Sequence, residues 1–161
     1  REKFIKDCFN KHELSDSDYD LMKKMIECAR CVNVSDVVFN EKTEQIIGYI
    51  VGSADIIGQM SSRSYLEKLL LSYDKAVEIN IIEDSSITEV LKRTIDFYRN
   101  KIIKRLEKDF KGLFKYSKAH FEKRYEIGYN MYIEAIDRQI EYLEDTLKEH
   151  PRSYRKRLKR L

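Results

Sequence analysis

The sequence is poor in the residues that interrupt helices or cross-link chains. Its 161 residues include one proline, five glycines, three cysteines and no tryptophan. The scarcity of proline and glycine argues against a fold rich in tight turns and favours long helices. An odd number of cysteines argues against a disulfide framework and is typical of a reducing, cytoplasmic compartment. The sequence shows neither a signal peptide nor an apolar run of about 20 residues, so we expect no membrane span.

Charged residues are abundant, and they are unevenly spread along the chain. They make up 37% of the sequence, with a net charge of +3. Residues 152–161 carry six basic side chains and no acidic one, so the body before them is mildly acidic. We therefore predict one helical domain over residues 1–151 and a basic tail over residues 152–161. Such a tail can contact nucleic acid or an anionic membrane surface, although a solvated terminus is more common.

Apolar residues recur at helical spacing along most of the chain. The spacing predicts helices over residues 1–13, from the Ser15 cap to about 31, over 41–60, 64–79 and 86–112, and from about 115 to the Pro151 stop. Ser86 can cap the fifth of these helices, with Glu89 three residues later. Residues 32–40 predict a loop or a brief extended piece. Because no repeat, long linker or domain boundary interrupts the pattern, we expect an all-α fold, a helical bundle with long C-terminal helices.

One predicted helix combines glycines with an acidic residue. Within residues 48–60, a narrow strip holds Gly48, Gly52, Asp55 and Gln59. Beside it runs an apolar stripe that we expect to face the core: Ile47, Ile50, Val51, Ala54 and Ile57. Each helical glycine costs about 1 kcal/mol relative to alanine, so the close approach of a backbone, a ligand or an ion should compensate. Asp55 carries the only carboxylate of the strip, and we predict that the function centres on it.

A resemblance to a known family begins in the same helix. The block Ala54-Asp55-Ile56-Ile57-Gly58-Gln59-Met60, followed by Tyr65-Leu66-Glu67-Lys68-Leu69, resembles the C-terminal part of bacterial HD-domain proteins, a metal-dependent phosphohydrolase-like group. Shorter matches continue at residues 94–98, 105–106, 120–124, 130–132, 135–136 and 142–143. The resemblance implies an HD-domain-like helical fold that hydrolyses a phosphate ester, such as a nucleotide, with a divalent metal ion. Asp55 matches the last metal ligand of that family.

The resemblance also implies metal ligands that this chain lacks. The family's other ligands are a histidine and an adjacent His-Asp pair, and no His-Asp dipeptide occurs here. Either these ligands lie upstream of Arg1 or this branch has lost them. One carboxylate cannot hold a divalent ion alone, so we expect this chain by itself to be inactive. The alternative is a non-catalytic helical module with a degenerate HD fold, which binds a partner or an effector.

Two cations that follow the Asp55 helix are candidates for a phosphate-binding site. Arg63 and Lys68 lie in the next turn and the next helix, and arginine can hold a phosphate through two hydrogen bonds. A solvated surface pair is the alternative for both. Tyr65 between them is expected in the core rather than in contact with a substrate.

Histidine and cysteine offer two weaker possibilities. Cys8, His12, Cys28 and Cys31 could form a zinc site, but buried, reduced cysteines are more common. His120 could act as a general base, whereas a surface or core histidine is the more common interpretation.

The sequence gives little indication of partners. Outside the tail we find no basic face with interleaved aromatic residues, so we do not expect a nucleic-acid partner. The apolar stripe of residues 121–146 could close a monomeric core or pair two subunits of a homodimer, and its spacing fits both.

Overall fold

The structure is a computed structural model that describes residues 15–30, 33–79 and 86–158. In these residues the chain forms seven α-helices and no strand, so the predicted all-α class is confirmed. The predicted helix over residues 1–13 lies outside the described part. Among the described helices, none has the length and apolar content that crossing a membrane requires. The helices are α1 (Asp16–Ala29), α2 (Lys42–Met60), α3 (Tyr65–Glu78), α4 (Ile87–Phe97), α5 (Ser117–Tyr125), α6 (Met131–Leu147) and α7 (Tyr154–Leu158).

Capping residues set several of the helix ends. The Ser15 hydroxyl accepts a hydrogen bond from the Asp18 N–H, and the Asp18 carboxylate accepts one from the Ser15 N–H, which completes a capping box on α1. The Ser86 hydroxyl accepts from the Glu89 N–H at the start of α4. Both predicted caps are confirmed, and α2 and α3 lie within one residue of their predicted bounds. The predicted loop between α1 and α2 contains a short 3-10 turn, Val34–Asp36.

The helix that starts at Ile87 continues beyond α4 in a wider form. Two π-helical segments, Tyr98–Ile102 and Arg105–Asp109, extend it, and Gly112 follows in a left-handed conformation with φ +68°. The apolar residues spaced three and four apart along this helix are largely buried, with Leu91, Ile95, Tyr98, Ile102 and Leu106 in the core. Segments with π-helical hydrogen bonds are rare and occur frequently at functional sites.

The prediction of one long helix from residue 115 to Pro151 is wrong. The chain forms a 3-10 segment (Leu113–Tyr116), then α5, and then α6 after a turn. Glu126 ends α5 with a left-handed φ of +56°, and the Asn130 side chain caps α6 by accepting a hydrogen bond from the Tyr132 N–H. As a result Tyr125 and Tyr132 of the predicted apolar stripe are exposed, whereas Phe121 is buried.

The core face of α2 also differs from the predicted stripe. Ile47, Ile50 and Ala54 are exposed, and the buried residues of α2 are Gly48, Tyr49, Gly52, Ser53, Ile57 and Met60. The glycines explain why the buried face of α2 is rotated about the helix axis relative to the predicted one. A Cβ atom at Gly52 would lie 2.9 Å from the Cys28 carbonyl oxygen of α1 and 2.5 Å from the Phe110 ring. Because α1 and this ring approach the bare backbone of α2, the glycine strip faces inward.

Residues 152–158 pack against the helical body. Tyr154 and Leu158 are each only 1% exposed, and the Tyr154 hydroxyl donates to the Leu147 carbonyl oxygen at the end of α6. The Arg155 guanidinium donates to both carboxylate oxygens of Asp74 on α3, at 2.7 and 2.5 Å. The described part of the basic tail is therefore held by apolar burial and an ion pair rather than solvated.

Candidate functional site

A cavity of about 840 Å³ lies between the C-terminal half of α2, the end of α1 and the π-helical segments. Its volume falls within the range of about 300–1,000 Å³ that is common for small-molecule sites. The apolar part of its lining consists of Ala29, Ile56, Met60, Tyr65, Phe97 and Ile102. The polar part consists of Arg30, Asn33, Asp55, Gln59, Lys101, Lys104, Arg105 and Asp109. Asp55, the residue that the sequence singled out, therefore lines this cavity.

Asp55 is half-buried in the wall that α2 contributes. Its Oδ2 atom accepts a hydrogen bond of 2.8 Å from Nε2 of Gln59, one turn further along the same helix. The pair has helical i, i+4 spacing, so it orients the carboxylate and the amide together. The Asp55 carboxylate is thus an oriented hydrogen-bond acceptor at the cavity. The carbonyl oxygen of the Gln59 amide is a second acceptor beside it.

Cations outnumber carboxylates in the cavity lining. Arg30, Lys101, Lys104 and Arg105 face only two carboxylates, Asp55 and Asp109. Three of these cations come from the π-helical segments or from the two residues between them. The wall opposite α2 is therefore suited to an anionic group, whereas α2 itself supplies the carboxylate.

Arg105 connects this wall to the end of α1. Its Nη2 atom donates to the carbonyl oxygens of Cys28 and Arg30, at 3.1 and 2.6 Å. Its guanidinium carbon also lies 5.1 Å from the centroid of the Phe110 ring. The last carbonyls of a helix have no partner within the helix, so Arg105 satisfies groups that α1 leaves open. This contact holds the two sides of the cavity together.

The cations predicted from their position after α2 lie outside the cavity. Arg63 and Lys68 are both exposed, and neither lines it. Lys101 and Arg105 line the cavity with Asp55 instead, and only tertiary packing brings them to the same cavity. Sequence reasoning missed them because nothing in their local pattern marks them.

Tyr65 contributes an aromatic surface to the cavity. The sequence placed it in the core, and it packs against the core as well as lining the cavity. Burial raises the pKa of its phenol, so the hydroxyl keeps its proton at neutral pH. The phenol can then donate a hydrogen bond to an anionic or carbonyl oxygen.

The described residues do not assemble a metal site. Within residues 15–30, 33–79 and 86–158, no three His, Cys, Asp or Glu side chains are placed to hold an ion. A divalent ion requires three or four such ligands, so these residues do not fit the ion that the HD-domain resemblance implied. Cys28 is a buried free thiol whose pKa is raised, first of all by burial. Cys8, His12 and Cys31, which the zinc alternative requires, lie outside the described residues.

Comparison with known proteins corrects the resemblance. No HD-domain family model matches the chain, so its assignment to the HD-domain family is wrong. The short block around Asp55 and scattered matches of two to five residues are compatible with many amphipathic helices, and the diagnostic His-Asp pair is absent. No curated protein and no solved structure matches the chain significantly. The model of the Npun_R2479-like family matches residues 1–124, about three-quarters of the sequence, and the chain therefore belongs to the Npun_R2479-like family.

Proposed function

We propose that this protein is a helical binding module that holds a small phosphate-bearing effector, such as a nucleotide, in the cavity beside Asp55. One observation carries the proposal. A single cavity of suitable volume joins an aromatic and apolar wall to a set of four cations. A nucleotide needs both, since its base is a flat apolar surface and its phosphate is an anion.

Each part of the cavity suits one part of such a ligand. Lys101, Lys104 and Arg105 can hold a phosphate through charge-assisted hydrogen bonds. Tyr65 and the exposed Phe97 offer ring surfaces for a base. The Asp55 carboxylate is an acceptor for a sugar hydroxyl or an amino group, and it disfavours a second phosphate beside it.

Calorimetric titration with four probes tests the proposal. The probes are adenosine monophosphate, adenosine, ribose 5-phosphate and inorganic phosphate, each titrated with a chelator and again with magnesium. We expect the nucleotide to bind most tightly under both conditions, because only it occupies both parts of the cavity. If none of the four probes binds, the proposal is wrong.

Paired variants locate the binding in the cavity. Replacing both Lys101 and Lys104 by Ala should weaken nucleotide binding roughly tenfold or more, because charged hydrogen bonds each contribute about 1.5–3 kcal/mol. Lys92→Ala is the matched control, since Lys92 is exposed on α4 and outside the cavity lining. Equal binding by the double variant and the control would place the ligand elsewhere.

Asp55→Asn separates the two roles proposed for the Asp55 carboxylate, which are to accept a hydrogen bond from the ligand and to repel a second phosphate. The substitution keeps the shape of the side chain and removes its charge. We expect weaker binding of the nucleotide, because an acceptor for the sugar or base is lost. Binding of inorganic phosphate should be unchanged or stronger, because a repelling charge is removed.

We also infer a reducing, cytoplasmic location, which the free, buried thiol of Cys28 supports. A homodimer stays a prediction, and sedimentation velocity at several protein concentrations would test it.

A further inference from the structure

The surface formed by α5 and the start of α6 is rich in aromatic residues. We name residues 114–133 the aromatic hairpin. The chain has 11 tyrosines and seven phenylalanines, and a third of them lie in this eighth of its length: Phe114, Tyr116, Phe121, Tyr125, Tyr129 and Tyr132. None of the residues of the hairpin lines the cavity beside Asp55. The hairpin is therefore a second, separate surface.

Most of these rings are open to solvent. Tyr116, Tyr125, Tyr129 and Tyr132 are 76%, 53%, 50% and 37% exposed. The buried Phe121 ring holds two of them in place, since its centroid lies 5.0 Å from that of Tyr132 and 6.4 Å from that of Tyr125. Large apolar groups that cluster on a surface usually mark a binding site.

The charges around the rings favour an anionic partner. The hairpin carries four cations, Lys115, Lys118, Lys123 and Arg124, against the carboxylates of Glu122 and Glu126, and Lys115 pairs with Glu107 outside the hairpin. The Arg124 guanidinium carbon lies 5.6 Å from the centroid of the Tyr125 ring. Lys118 and Lys115 line a shallow groove of about 340 Å³ together with Tyr129, Asn130 and one carboxylate, that of Glu134. Cations and exposed rings therefore share this surface.

We propose that the aromatic hairpin binds single-stranded nucleic acid. Bases stack on the exposed rings of Tyr125 and Tyr129, and phosphates contact Lys118 and Arg124. Stacking on aromatic side chains beside cations is the usual way in which single strands are held without sequence preference. A duplex hides its base faces and fits this surface less well. The sequence did not indicate such a face, because the single-helix prediction assigned Tyr125 to an apolar stripe that closes a core or pairs two subunits.

Fluorescence anisotropy with a labelled oligothymidylate of about 20 nucleotides tests the proposal at low salt. We expect binding to the single strand and weaker binding to a duplex of the same length. The variant with both Tyr125→Ala and Tyr129→Ala should bind at least about tenfold more weakly, because each stacked base contributes about 1–3 kcal/mol. Replacement of both residues by Phe should preserve binding, since the rings remain.

Tyr19→Ala is the matched control for the loss of a ring. Tyr19 lies on α1 with the Lys23 ammonium 5.5 Å from its ring centroid, which resembles the Arg124–Tyr125 pair away from the hairpin. Circular dichroism would confirm that each variant is folded. Removing Lys118 and Arg124 should also reduce the slope of log K against log salt by about 0.7 for each lost phosphate contact.

Four results would overturn the proposal. The first is no binding of the oligonucleotide at low salt. The second is equal binding by the double alanine variant and the Tyr19 control. The third is binding that falls only when the exposed Arg152 and Lys156 of the C-terminal segment are replaced by Ser. The fourth is self-association that the double alanine variant abolishes, which would assign the hairpin to contact between copies of the chain.

Discussion

The glycines of α2 show how one missing atom decides the packing of two helices. A Cβ atom at Gly52 would meet the Cys28 backbone oxygen at 2.9 Å and the Phe110 ring at 2.5 Å. We expect Gly52→Ala to lower the free energy of unfolding by about 1–3 kcal/mol, because overpacking displaces the backbone of α1. Urea unfolding measures this change.

Gly58 provides the control on the same helix. A Cβ atom there would have no neighbour within 4 Å. Gly58→Ala should therefore raise the free energy of unfolding by about 0.5–1 kcal/mol, through helix propensity alone. If Gly52→Ala is as stable as Gly58→Ala, close packing does not explain the glycine strip.

The environment of Tyr98 predicts that the free energy of unfolding falls in alkaline solution. Its buried hydroxyl donates to Oδ1 of Asp137 at 2.8 Å. Burial, and then this hydrogen bond, raise the pKa of Tyr98 well above the ordinary value of about 10. A tyrosine with a raised folded-state pKa stabilises the fold fully below pH 10, and this stabilisation is lost as the pH rises toward the folded-state pKa.

The variant Tyr98→Phe tests this assignment. At pH 8 it should lower the free energy of unfolding by about 1 kcal/mol, because a hydrogen bond is lost. Above pH 10 the difference from the wild type should shrink, since only the wild type loses the contribution of Tyr98. Urea unfolding between pH 8 and 11 measures the difference, and a constant difference would contradict the assignment.

The glycine strip and the close approach of a backbone to it were predicted from the sequence, and the Cys28 backbone confirms that approach at Gly52. Two glycines and Asp55 on one line of a helix were visible from spacing, and Asp55 does line the cavity. The spacing of apolar residues cannot show which face of α2 is buried, because the apolar stripe lies directly beside the glycine strip. The cations opposite Asp55 were also hidden, because Lys101 and Arg105 reach it only through packing between distant segments.

The starts of helices could be predicted from capping residues, but the change from α-helical to π-helical hydrogen bonds could not. Ser15 and Ser86 mark helix starts because a short hydroxyl side chain satisfies open N–H groups locally. The π-helical turns after Phe97 have no local signature, since apolar residues spaced three and four apart fit both forms. The break between α5 and α6 did have a signal, Gly128 followed by Asn130, which the continuous stripe outweighed.

The short helix α7 is expected to contribute through burial more than through charge. Tyr154→Ala removes a side chain that is 1% exposed and should cost about 3–5 kcal/mol. Arg155→Ala breaks the pair with Asp74, but both side chains of this pair are more than 40% exposed, so its cost should stay below about 1 kcal/mol. Thermal unfolding of both variants measures the two effects, and an equal loss would show that the ion pair anchors α7.

For the whole molecule, the folded unit extends beyond the part that the family model matches. The match ends at residue 124, whereas α6 supplies Ile136, Ile140 and Leu143 to the same buried cluster as α2 and α4. The Gln139 side chain also donates to the Met60 carbonyl oxygen at 2.7 Å, which closes the end of α2. The cavity wall formed by α2 therefore depends on a helix outside the matched region.

A fragment of residues 1–124 should consequently fail to fold. It lacks five side chains that are nearly completely buried: Ile136, Ile140, Leu143, Tyr154 and Leu158. At about 1.5–3 kcal/mol each, their burial is comparable to the total stability of about 5–15 kcal/mol of a typical domain. Circular dichroism and urea unfolding should show a cooperative transition for the whole chain and none for the fragment. If the fragment unfolds cooperatively at the same urea concentration, α6 and α7 are additions to a core that the matched region completes by itself.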